Sequence, residues 1–172
     1  FNQRSHPLLK KARSWIRAGR IGSPTLVRSV FASAVRDLPE WKQARTSGGG
    51  VLYDLASHHL DSVPWLLDTR VRAVSTSVRS HRTEDDNALL TIRMENGLEG
   101  QIAVSMTGAE QDRIEIMGNE GILNVNRYAN SIDFVSARRP RTRTERVRLG
   151  VRALLDTPAR IRTAVRPLTD NS

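Results

Sequence analysis

Apolar positions near the start of the chain recur at helical intervals. Leu8, Leu9, Ala12, Trp15 and Ile16 follow Ser5-His6-Pro7, and steps of three and four residues put them on one helix face. Ser5 is the expected cap, and Pro7 fits the first turn, where a missing N–H costs nothing. Gly19, after an arginine-bearing last turn, is the expected stop. Gly22-Ser23-Pro24 turns the chain into an alternating, β-branched run from Thr25 to Val35, which predicts a strand. Residues 36–50 read as a polar loop ending in Ser47-Gly48-Gly49-Gly50. Three consecutive glycines suit no regular element, so the backbone there must turn tightly or come close to a neighbour.

A second helix is predicted over Val51–Leu67. Val51, Leu52, Leu55, Ala56, Leu60, Val63, Leu66 and Leu67 cover one broad face. Pro64 should kink it or end its regular part near Val63. Beyond Val71 the period shortens to two, with runs at Val71–Arg79, Ala88–Met94, Leu98–Met106, Arg113–Met117, Ile122–Val125 and Ser131–Val135. Glu95-Asn96-Gly97 and Gly118-Asn119-Glu120-Gly121 are hairpin turns by composition. Helix, strand, helix and then hairpin-linked strands predict an α+β fold: a largely antiparallel open sheet with helices packed on one face.

The 172 residues and net charge of +9 bound the class. One domain fits this length. The charge would suggest nucleic acid, but its distribution argues otherwise. Residues 1–137 carry 17 Lys and Arg against 15 acidic residues, whereas 138–172 carry 10 Arg against three. The expected organisation is an α+β body over 1–137 and a basic tail or linker over 138–172, where 149–165 could form a helix interrupted by Pro158. The tail has no aromatic side chain on which a base could stack, so specific nucleic-acid binding is not expected. Cysteine is absent, which removes disulfides and thiolate chemistry and fits a cytoplasmic location. No apolar run reaches membrane-spanning length. The opening Phe1-Asn2-Gln3-Arg4 has neither an initiator methionine nor a signal peptide and reads as a chain entered midway.

Candidate chemistry sits on the second helix. Asp54 and His58 are four apart and share a face, one turn separated. A carboxylate beside an imidazole orients the ring and suits a general acid/base near neutral pH. Asp61 extends the stripe, with Trp65 beyond. The glycine run would leave the helix's first N–H groups open to a ligand oxygen. The competing reading is a solvated or structural pair, for this spacing is common on helices. A metal set of Asp54, His58, His59 and Asp61 is the less favoured option, because His58 and His59 point about 100° apart on a helix. His6 and His81 read as surface residues.

Several segments in order resemble the C-terminal domain of the glucose–fructose oxidoreductase / inositol dehydrogenase family. They are Phe1-Asn2-Gln3-Arg4-Ser5-His6-Pro7, Ala18-Gly19-Arg20-Ile21-Gly22, and Gly48-Gly49-Gly50-Val51-Leu52-Tyr53-Asp54-Leu55-Ala56-Ser57-His58-His59-Leu60-Asp61. Trp65-Leu66-Leu67, Asp85-Asp86, Glu95-Asn96-Gly97 and Ile114 to Gly121 follow, so the likeness covers about 1–128. It implies a protein that holds NAD or NADP in an N-terminal Rossmann domain and lays a sugar, cyclitol or similar polyol against the nicotinamide. A histidine at the position of His58 then takes the hydroxyl proton, and an aspartate at Asp54 binds the hydroxyl and assists. Arg4 matches a position near the cofactor–substrate cleft, though a helix-flanking surface arginine is the alternative. Trp41 and Arg45 could wall the pocket, or could be a loop anchor and a solvated charge. The resemblance also implies a homo-oligomer through the open sheet face.

Two features depart from the family pattern. No strand–Gly-x-Gly-x-x-Gly–helix unit exists in the chain, so no cofactor-binding residues are expected in it, and the family's Glu-Lys-Pro motif is absent too. Alone, the chain is not expected to turn over substrate. The arginine-rich 138–172 does not resemble the family's usual ending. A non-catalytic dimerisation module is the alternative from another class; whether Asp54 and His58 face an open surface or packed core discriminates the two.

Overall fold

The computed structural model describes residues 2–34 and 37–137; the basic tail and the helix expected within it lie outside the described residues. Helix α1 spans Pro7–Arg17. Its cap is His6 rather than Ser5: His6 Nδ1 accepts the Leu8 N–H at 3.2 Å, and Ser5 closes a 3₁₀ turn, Asn2–Ser5. The cause is Pro7, which bars its preceding residue from helical backbone and so makes that residue the boundary. At the other end Gly19 adopts φ +73°. Gly19 N–H reaches Ile16 O at 2.9 Å and Arg20 N–H reaches Trp15 O at 3.1 Å, the paired bonds of a glycine-terminated helix.

Strand β1, Pro24–Ala32, ends three residues before the expected Val35. The loop after it contains a one-turn helix, α2, at Glu40–Gln43, and a 3₁₀ turn at Arg45–Ser47. A π-helical turn over Leu52–Ala56 then leads into α3, Ser57–Leu67. Pro64 neither ends nor interrupts α3, which runs on to a left-handed Asp68. Val63 and Leu66, on either side of the proline, are fully buried, and packing of an apolar face outweighs local propensity. The irregularity lies at the helix's start instead.

Six further strands follow among the described residues: β2 Val71–Arg79, β3 Asn87–Met94, β4 Glu99–Ser105, β5 Gln111–Gly118, β6 Gly121–Asn126 and β7 Ser131–Ser136. They form one sheet in the order β2-β3-β4-β1-β5-β6-β7. All pairings are antiparallel except β1 with β4. The expected α+β class with a largely antiparallel open sheet is the one observed.

One sheet face is dry. Val27, Leu90, Ile92, Ile102, Ile114, Ile116, Leu123 and Val125 are buried together with Leu9 and Ala12 of α1 and Val63 and Leu66 of α3. The other face carries an uncovered mixture. Registered across it are Ser77, Leu89, Ala103 and Val30, then Thr91, Gln101, Arg28 and Glu115. Leu89 is 48% exposed. A shallow groove of about 410 Å³ lies at this face along Leu89, Ala103 and Val30, away from Asp54 and His58.

Candidate active site at the start of helix α3

The glycine run builds the entrance to α3 by close approach. A Cβ on Gly49 would lie 2.4 Å from Lys42 O and 2.8 Å from Ala44 O, so only glycine lets the two backbones meet. Gly48 and Gly50 adopt φ +85° and +90°. The N–H groups of this run, and that of Val51 at the helix start, are taken by carbonyls. Gly49 donates to Ala44 O at 2.9 Å, Gly50 to Lys42 O at 3.4 Å and Val51 to Asp85 O at 2.9 Å. The loop before α3 and the 80–86 loop converge here, and their carbonyls take these donors.

Asp54 lies within the π turn, where the α-helical rule that stacks residues four apart does not hold strictly. Its Oδ2 accepts a hydrogen bond from Lys42 Nζ at 2.8 Å, and the two side chains are 30% and 26% exposed. His58 is half-buried one turn on. Asp54 is therefore partly open to solvent, whereas His58 has its Nδ1 enclosed. Trp41 and Tyr53 are 55% and 68% exposed, and Lys42 Nζ stands 5.1 Å from the Trp41 ring.

His59 points the other way. It is buried, its Nδ1 lies 2.6 Å from Ser29 Oγ on β1, and its ring tilts against Phe31 at 5.9 Å. Burial, with lesser contributions from Arg127 and His58, pushes its pKa down to about 3, so the ring is neutral at physiological pH. The residues proposed on paper as metal ligands thus have separate engagements. Asp61 Oδ2 and Oδ1 accept from Arg4 Nε at 2.8 Å and Nη2 at 2.5 Å. No group of three or more His, Asp or Glu among the described residues is arranged to hold a metal ion.

Arg4 accordingly bridges the chain's start to α3, at the rim of a broad polar groove with Arg13, Trp65 and Asp68. Arg45 is clamped bidentately to Asp85, through Nε at 2.6 Å and Nη2 at 2.8 Å. That guanidinium holds the Asp85 carboxyl below the usual carboxylate range. Asp86 is fully buried beside it. Burial would raise its pKa, but Arg82 N–H, Thr83 N–H, Asn87 Nδ2 and His81 N–H donate to it and hold it below normal. The 80–86 loop is thereby fixed against the glycine run.

Of the residues expected at the site, Asp54 and Trp41 meet around Lys42, His58 lies half-buried one turn on, and Arg45 and Arg4 are held in ion pairs. Sequence reasoning did not single out Lys42 or Ser29. Ser29 left a trace, for it is the polar break in the inward alternation Val27, Ser29, Phe31. Lys42 left none in the periodicity; only the crowding at Gly49 carries its backbone to the helix start.

Comparison with known proteins bears on this geometry. The GFO/IDH/MocA C-terminal domain family matches residues 9–124. The chain is similar to the uncharacterized oxidoreductase YrbE of Bacillus subtilis, 28% identical over 131 residues, covering 70% of this chain and 37% of that protein. Among solved structures it is similar to a levoglucosan dehydrogenase in complex with NADH and levoglucosan (TM-score 0.73, 22% identity, 83% of this chain and 43% of that one). It is also similar to the WlbA dehydrogenase of Bordetella pertussis in complex with NADH and UDP-GlcNAcA (TM-score 0.65, 25% identity, 80% and 45%). The chain spans less than half the length of each of these proteins.

Proposed function

Because the chain belongs to the GFO/IDH/MocA C-terminal domain family, we propose that it is the substrate side of a nicotinamide-dependent oxidoreductase acting on a secondary hydroxyl of a sugar, cyclitol or related polyol. The observation that supports this reading is that Asp54, within the matched segment, keeps its carboxylate partly open to solvent one turn before the half-buried His58. The neighbouring His59, by contrast, is packed against the sheet. That contrast favours the enzyme over a non-catalytic module.

Oxidising a secondary alcohol removes a proton from oxygen and a hydride from the same carbon. His58 is the base that takes the hydroxyl proton, the role that histidine fills most often in proton transfer. Asp54 accepts a hydrogen bond from a substrate hydroxyl and fixes its direction. Trp41 supplies an apolar wall on which the C–H face of a sugar ring can rest. Arg45 and Arg4 act one step back, Arg45 by pinning the glycine loop to Asp85 and Arg4 by holding α3 through Asp61. NAD or NADP supplies the hydride acceptor. The residues present do not fit a dinucleotide cradle, since the glycine N–H groups are spent on carbonyls, so that site belongs to a Rossmann domain elsewhere in the whole protein. The uncovered sheet face, with the exposed Leu89 of β3, is the surface for a second copy of the chain.

The test is His58→Ala in the full-length protein, assayed by nicotinamide absorbance against a panel of polyols. Losing a general base lowers turnover by roughly 100-fold or more. Unchanged kcat would remove His58 from the reaction.

A further inference from the structure

The Lys42–Asp54 pair has more hydrogen-bonding capacity than it uses. Lys42 Nζ gives one donor to Asp54 Oδ2; among the described residues its other two N–H groups make no hydrogen bond, and neither does Asp54 Oδ1. Both side chains remain partly exposed. The exposed Trp41 ring stands beside them. The position of Lys42 is built rather than accidental, because its carbonyl is packed onto Gly49 and accepts the Gly50 N–H. The backbone at the root of the side chain is therefore held to the helix that carries Asp54.

A donor and an acceptor fixed 2.8 Å apart match one particular feature of a polyol. Hydroxyl oxygens on neighbouring carbons stand about 3 Å apart, the spacing of a hydrogen-bonded pair. One hydroxyl can donate to Asp54 while its neighbour accepts from Lys42. A lone hydroxyl satisfies only half of this edge and forgoes the charge-assisted hydrogen bond that its neighbour would accept from Lys42. An apolar ring face lying on Trp41 would present such a pair of hydroxyls edge-on.

We propose that Lys42 is a substrate-contacting residue that, with Asp54, reads a vicinal diol, so that the substrate carries a free hydroxyl on the carbon next to the one bound by Asp54. This rests on the polyol-oxidoreductase reading given above and narrows its substrate class.

The experiment uses the full-length protein, its nicotinamide cofactor and a panel of cyclitols and aldoses, each beside its analogue lacking the neighbouring hydroxyl. The wild type is expected to show a KM for the diol lower than for the deoxy analogue by roughly 10- to 100-fold. Lys42→Met should erase most of that difference by raising KM for the diol, with kcat less affected, and Lys42→Arg should retain much of it. Lys42→Gln, which keeps an N–H donor, carries the same comparison if Lys42→Met does not fold. A variant that keeps the wild-type difference, or loses kcat at unchanged KM, overturns the role of Lys42. A wild type that oxidises polyols without regard to the neighbouring hydroxyl overturns the diol while leaving the broader function standing. A wild type that oxidises no polyol overturns both.

Discussion

Two adjacent histidines on α3 have opposite environments, and the difference has a measurable signature. The ring of His59 is enclosed with Ser29 and Phe31, its pKa lowered from 6.5 to about 3. Below pH 6.5 the unfolded chain binds a proton there that the folded chain refuses. Stability therefore falls as pH drops from 7, and the loss levels off near pH 3. Between pH 7 and pH 5 this one ring should cost about 2 kcal/mol. His59→Gln cannot titrate, so urea unfolding read by tryptophan fluorescence should show a pH 7-to-5 loss smaller by that amount than in the wild type. Equal losses would place the acid sensitivity elsewhere. The sequence placed the two rings about 100° apart on the helix, because angular spacing follows from helix geometry. Which of them entered the core depended on Ser29, thirty residues away, and no local pattern carries that.

Elements were legible where a single local cause fixes them. The β3–β4 hairpin follows from Glu95-Asn96-Gly97, with Gly97 at φ +84°, and the stop of α1 follows from Gly19. Less legible were elements set by several segments at once. The π turn at Leu52–Ala56 and the one-turn α2 exist where two loops meet, and each is a compromise with its neighbours rather than a preference of its own residues. The glycine run separates two reasons for glycine. At Gly48 the backbone is left-handed with nothing within 4 Å, whereas Gly49 has no positive φ and no room. Gly48→Ala should cost about 1–2 kcal/mol from backbone strain alone. Gly49→Ala should cost about 1–3 kcal/mol from overpacking and also raise KM, because Lys42 and Asp54 move apart. Urea midpoints and steady-state kinetics on both variants check this; a Gly49→Ala variant with native KM would disconnect the loop from the site.

For the molecule as a whole, the period-two runs and hairpin turns made the antiparallel sheet readable, yet not its strand order. Strand β1 lies at the centre of the sheet, parallel to β4 and antiparallel to β5, and neither partner is near it in sequence. The uncovered face exposes Leu89 beside Val30 and Ala103, an apolar area of the kind that a second copy covers. Leu89→Lys should shift the full-length protein to a smaller sedimenting species while its unfolding midpoint changes little; an unaltered sedimentation coefficient would point the assembly elsewhere. The central position of β1 also sets a schedule for the growing chain. Val27 pairs with Gly100 on one side and Ile116 on the other, so both partners leave the ribosome more than seventy residues after it. Closing loops of that length carries an entropy cost before any contact repays it. The hairpins from β2 to β4 can form while β1 waits, so the first strand of this sheet to be made is flanked on both sides only once β5 has followed.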